Sequence, residues 1–135
     1  MALSEIEKTE IIKFRLEKAN STMAEMAILM ENKLYRTAAN RLYYACYYAA
    51  TALLISNGYE THTHSGVKTL LGLHYIITNK IEKPLGKMYN QLFNMRQDSD
   101  YEDWIEVDEA DILPYLAPAK QFIKTIENLI KNNPQ

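Results

Sequence analysis

Arg36-Thr37-Ala38-Ala39-Asn40-Arg41-Leu42-Tyr43-Tyr44-Ala45-Cys46-Tyr47-Tyr48-Ala49-Ala50 decides the fold. It sits within a helical stretch from about Leu34 to Ser56 and carries apolar or aromatic residues nearly all round, the mark of a central, buried helix. Its alanines let neighbouring helices approach closely. Its tyrosines add bulk with a polar tip that needs a partner. Asn57-Gly58 ends it, because glycine tolerates the positive φ that closes a helix.

Upstream, Ser4-x-x-Glu7 forms a capping box that starts a first helix. Ile12, Leu16, Ala19, Met23, Met26 and Met30 then step by four and three along one seam, and Asn32 is a plausible stop. Lys8, Lys13, Glu17, Lys18 and Glu25 lie opposite that seam. Downstream, a third helix is expected from Thr63 or His64 to Asn79, with Val67, Leu70, Leu71, His74 and Ile77 inward. A fourth begins near Pro84, a residue tolerated in a first turn. Acidic Asp98 to Asp103 is expected to fray into a loop. A last helix starts at Asp108 or Asp111, with Ile112, Leu116, Ala119, Ile123, Ile126 and Ile130 as its seam and a kink or late start at Pro114 and Pro118. No strand alternation persists beyond four residues. Short connections favour antiparallel neighbours, so the expected fold is all-α, an antiparallel up-and-down bundle of about five helices in one domain, residues 1–135.

Composition narrows the function classes. A formal charge of −2 argues against broad electrostatic capture of nucleic acid, though not against a small basic pocket. The longest apolar stretch, Leu42 to Ala50, is too short to cross a bilayer, and no signal peptide is evident, so no membrane association is expected. Cys46 is the only cysteine, which rules out an internal disulfide and suits a cytoplasmic setting. Its helical context reads as a small packed residue.

One position breaks the pattern of a plain bundle. Leu85, Tyr89 and Leu92 step along one face of the fourth helix, and the next step lands on Arg96. At 100° per residue Arg96 falls inside the arc of Met88, Tyr89, Leu92, Phe93 and Met95. A guanidinium faces a core only when it is paired or used. The two readings are an ion pair with Asp100 at i, i+4, and a phosphate-binding group.

His64 lies in the first turn of its helix, where the dipole keeps an imidazole neutral and able to accept a proton; the plainer reading is a surface residue beside a cap. His62 and His64 lack an acidic or cysteine partner at ligand spacing, so no metal and no cofactor is expected. His74 reads as a hydrogen-bonded core residue. Tyr43, Tyr44, Tyr47 and Tyr48 offer stacking pairs, for the core or for a base. Asn40 lies one turn before Tyr43 and Tyr44. Arg36 and Arg41 either border a phosphate site or are solvated. Beside Arg96, Asp100 would stay ionised and orient that arginine or Tyr101.

Asn40-Arg41-Leu42-Tyr43-Tyr44-Ala45, Thr63-His64-Ser65-Gly66 and Arg96-x-x-x-Asp100-Tyr101, in this order, resemble the HEPN family (higher eukaryotes and prokaryotes nucleotide-binding domain), in particular its small stand-alone prokaryotic members. The likeness runs from about Glu7 to Ile130. It implies a homodimer whose motif helices face each other across a cleft, and an RNA or nucleotide ligand. Many members are metal-independent endoribonucleases, often toxins of toxin–antitoxin or stress-defence systems, encoded beside a nucleotidyltransferase-type partner. The family pattern is an arginine followed four to six residues later by a histidine. Here those positions are Asp100, Tyr101 and Glu102. If the chain is catalytic, Arg96 binds phosphate and His64 is the replacement base, with Asn40, Tyr43, Tyr44, Asp100 and Tyr101 as the supporting shell. The alternative is a non-catalytic binding or regulatory subunit of the nucleotidyltransferase.

Overall fold

The computed structural model describes residues 3–101 and 106–132, and the side chains of these except 97–101. Helices α1 (Glu5–Ala24), α2 (Met26–Glu31), α3 (Tyr35–Ser56), α4 (His64–Leu71), α5 (Lys83–Tyr101) and α6 (Glu109–Lys131) follow in order, and among the described residues there is no strand. A π-helical turn, Gly72–Ile76, continues α4. Because α1 with α2, and α4 with its π turn, each act as one rod, the chain is the five-rod all-α bundle that its periodicity predicts. Helix α3 is its axis, packed against α1, α2, α4, α5 and α6.

The local signals behave as elementary rules require. Ser4 and Glu7 exchange both capping-box bonds at 3.1 and 3.0 Å. Thr63 caps α4 by accepting from the Gly66 amide at 2.9 Å. Asp108 and Asp111 form a second capping box, so α6 takes the earlier of its two expected starts, with Pro114 and Pro118 inside it. Gly58 closes α3 at φ +80°. Cys46 is fully buried, and burial pushes its thiol pKa up, as befits a packed residue.

Three expectations need correction. The first helix does not run unbroken to Asn32: the chain turns at Glu25, whose amide bonds back to Thr22 at 3.1 Å. The seam survives, because Met23 and Met26 are both buried. The inner stripe after Leu71 also shifts. In the π turn the Ile77 amide bonds to the Gly72 carbonyl at 3.0 Å, five residues back. Each residue then advances less than in an α-helix, so the step of four holds the inner face. Tyr75 is buried, Ile77 is 67% exposed, and His74 is half-buried, stacked on Tyr59 at 4.2 Å rather than held in the core. Finally, α5 keeps its helical backbone through Tyr101 where fraying from Asp98 is expected. Carboxylates near a C-terminus oppose the dipole by only about 0.3–1 kcal/mol each, too little to unwind a packed helix. The rest of that acidic segment lies outside the described residues.

Candidate functional site

The site forms where α3, α4 and α5 meet. Tyr43, Tyr44 and Tyr47 recur at steps of three and four, which puts them on one side of α3. The Thr63 cap fixes the first turn of α4 and presents His64 to that side. Gly66 allows this approach, since a Cβ there would run into the Thr61 and Thr63 side chains. From α5, the buried run Leu85, Met88, Tyr89 and Leu92 sets the rotation of the helix and delivers Arg96, half-buried, to the same place.

Tyr43 is fully buried, and its hydroxyl lies 2.9 Å from His64 Nδ1. Two tautomers satisfy this contact. In one the hydroxyl donates to Nδ1 and Nε2 carries the proton. In the other Nδ1–H donates to the phenol oxygen and Nε2 presents a lone pair. The imidazole also stacks on Tyr47, ring centroids 4.3 Å apart and planes 22° apart, and meets Tyr44 edge-on at 5.6 Å. Burial lowers the His64 pKa, and the positive charge of Arg96 lowers it further. The ring is therefore neutral at pH 7 and competent to accept a proton. Tyr43 is raised to about 12 by burial, so it stays a phenol.

The Arg96 guanidinium donates through Nη1 to the Tyr44 hydroxyl at 3.3 Å. It lies over the Tyr43 and Tyr44 rings at 5.3 and 5.9 Å, within cation–π range. A neutral imidazole and a permanent cation thus share one tyrosine-lined corner. The pair suits a phosphate ester: the cation attracts the non-bridging oxygens and the imidazole handles a proton.

The structure brings four of the expected residues together: Tyr43, Tyr44, His64 and Arg96. Asn40 is half-buried one turn upstream of Tyr43. The side chains of Asp100 and Tyr101, and with them the Arg96–Asp100 ion pair, lie outside the described residues. Arg41 turns away, to Glu25 at 3.8 Å and the Thr22 hydroxyl at 3.4 Å. Tyr47, expected as one of the stacking tyrosines but not in the shell around Arg96, is the ring His64 stacks on. Its position four after Tyr43 and three after Tyr44 was the available signal. Among the described residues no three His, Cys, Asp or Glu side chains converge as a metal site would need, and no helix is long and apolar enough to cross a membrane.

Comparison with known proteins gives this geometry a context. The family described as HEPN domain matches residues 12–129. A Thermotoga maritima protein named "UPF0332 protein" is 33% identical over 93% of this chain and 96% of its own length. Two Methanocaldococcus jannaschii proteins, each named "putative toxin", are similar as well. One is 33% identical over 90% of both chains. The other is 31% identical over 87% of this chain and 81% of its own.

Proposed function

The chain belongs to the HEPN domain family, and on that premise we propose that it is a toxin-type RNA-binding protein that cleaves RNA at the Arg96–His64 corner without a metal. The observation that carries this reading is the convergence of a neutral imidazole and an inward-facing guanidinium on one tyrosine cluster. The relatives named as toxins support the biological setting.

In the tautomer with Nδ1–H donating to Tyr43, Nε2 takes the proton of an RNA 2′-hydroxyl. The 2′-oxygen attacks phosphorus, the bond to the 5′-oxygen breaks, and that oxygen takes a proton from solvent. The products are a 2′,3′-cyclic phosphate and a 5′-hydroxyl. Arg96 offsets the charge that builds on the phosphorane. This assignment replaces the histidine missing after Arg96 with one from a different helix. A homodimer would bring two such corners to one RNA strand, and a nucleotidyltransferase-type protein is the proposed neutralising partner. The missing motif histidine also favours a second reading, in which the chain binds RNA and serves that partner without cutting.

Labelled RNA incubated with purified protein in EDTA distinguishes the two. Cleavage by the wild type, abolished in Arg96→Ala, is the expected result. Wild type cutting no better than Arg96→Ala overturns the enzyme. RNA binding that then still depends on Arg96 leaves the second reading standing.

A further inference from the structure

A cavity of about 600 Å³, with Tyr47 in its wall, opens between α1, the C-terminal half of α3 and the loop leading into α4. Arg15, Tyr47, Thr51, Tyr59 and Glu60 are among its walls. Its volume is that of a small-molecule site. The polar groups in it are held in place. Thr51 donates to the Tyr48 carbonyl at 2.8 Å and accepts from Arg15 Nη1 at 2.9 Å, which fixes a half-buried guanidinium on the cavity wall. A guanidinium has five N–H donors, so this bond leaves it able to grip a ligand. Tyr59 is held by stacking on His74 at 4.2 Å. The loop that carries Glu60 is seated on α4 where Gly66 admits Thr61.

Tyr47 is a wall common to both places: His64 stacks on its ring, and the ring lines the cavity. Burial raises the Tyr47 pKa, and the charges of Arg15 and Arg96 both act against that rise. Tyr47 therefore joins the cavity to the Arg96–His64 corner.

We infer that the cavity is a nucleobase subsite that prefers guanine; the inference rests on the RNA-binding reading of the Arg96–His64 corner. The donor fork of Arg15 matches the paired acceptors O6 and N7, whereas adenine puts an amine donor on that edge. The Glu60 carboxylate, on the exposed rim, accepts from the opposite edge, where guanine carries N1–H and its amine. The Tyr47 and Tyr59 rings in the wall supply aromatic contact that any base would use, so discrimination comes from Arg15 and Glu60.

The test is fluorescence anisotropy with full-length protein and four labelled pentaribonucleotides, uridine-rich, 2′-O-methylated to prevent cutting, and differing only in a central G, A, C or U. One good bidentate contact discriminates by roughly five-fold or more, so the guanine pentamer should bind at least that much tighter at fixed salt. Arg15→Met should bring the four to within about two-fold of one another. Glu60→Gln, at an exposed position that leaves the fold alone, should erase part of the preference. Arg96→Met should weaken all four alike. Equal binding of the four by the wild type overturns the subsite while the phosphate site stands. So does a preference for another base, or a guanine preference that survives both Arg15→Met and Glu60→Gln. Failure of every pentamer to bind overturns the RNA reading as well.

Discussion

Along α3, the hydroxyls of Tyr43 and Tyr44 reach groups on α4 and α5, whereas the hydroxyls of residues 49–56 donate back into their own helix, Thr51 also accepting from Arg15 of α1. In the first half the Tyr43 hydroxyl meets His64 of α4, and the Tyr44 hydroxyl accepts from Arg96 of α5. In the second half Ala49, Ala50, Ala52, Leu53 and Leu54 are buried. Its buried Ser56 donates to the Leu53 carbonyl at 2.6 Å, and Thr51 donates to that of Tyr48. A back-bonded hydroxyl has its proton satisfied within its own helix. A tyrosine hydroxyl projects beyond its own backbone, so it must find a partner on another element. One helix thus serves cohesion at its C-terminal end and assembles polar chemistry at its N-terminal end.

If that division is right, the two halves respond differently to truncation. Leu53→Ala removes side-chain volume from the C-terminal half, where Leu53 is 1% exposed. The expected cost is about 2–5 kcal/mol, read from urea denaturation, with the His64 resonances of the folded protein unchanged. A variant as stable as the wild type would show that this half is not the core. Tyr43→Phe strikes the other half. The ring remains and one hydroxyl goes, so the expected cost is smaller, about 0.5–1.5 kcal/mol. The informative readout is His64 itself. Without the phenol to hold Nδ1, its ring-nitrogen NMR shifts should report a changed tautomer balance. Unchanged shifts would mean that the 2.9 Å contact does not govern the imidazole.

The same division explains what the sequence could disclose. Helix seams are repeated signals: six positions in α6 step by four and three, and the buried Ile112, Ala119, Ile123 and Ile126 follow from that spacing, whereas the fully buried Phe122 lies beside the seam and was missed. Arg96 was legible because it interrupts such a series. His64 was legible as a residue beside a cap, but its contact with Tyr43 was not, because that contact joins positions 21 residues apart on different helices. The π turn after Leu71 was hidden for a related reason. It is one extra residue in one turn, set by packing, and the apolar pattern on either side reads equally well as α-helix. Arg15 carried no signal either. On α1 it reads as one more charge among several, and only the fold brings it to Thr51.

The smallest expected effect concerns pH. Burial among the tyrosine rings, and secondarily the Arg96 charge, hold the His64 pKa below its ordinary 6.5. Between the folded value and 6.5 the unfolded chain binds the proton that the folded protein resists. Stability therefore rises with pH across that window, is fully present above 6.5, and falls as acid is added. In urea titrations from pH 7 downward, His64→Asn should flatten this slope relative to the wild type. Arg96→Met should act in the same direction but less, because it removes the lesser cause and leaves the burial, so the imidazole titrates nearer to 6.5 by NMR. An Arg96→Met protein in which His64 titrates as in the wild type would separate the two groups electrostatically. The corner would then hold a histidine and an arginine that merely share a wall, and the case for their joint action on one phosphate would fall with that result.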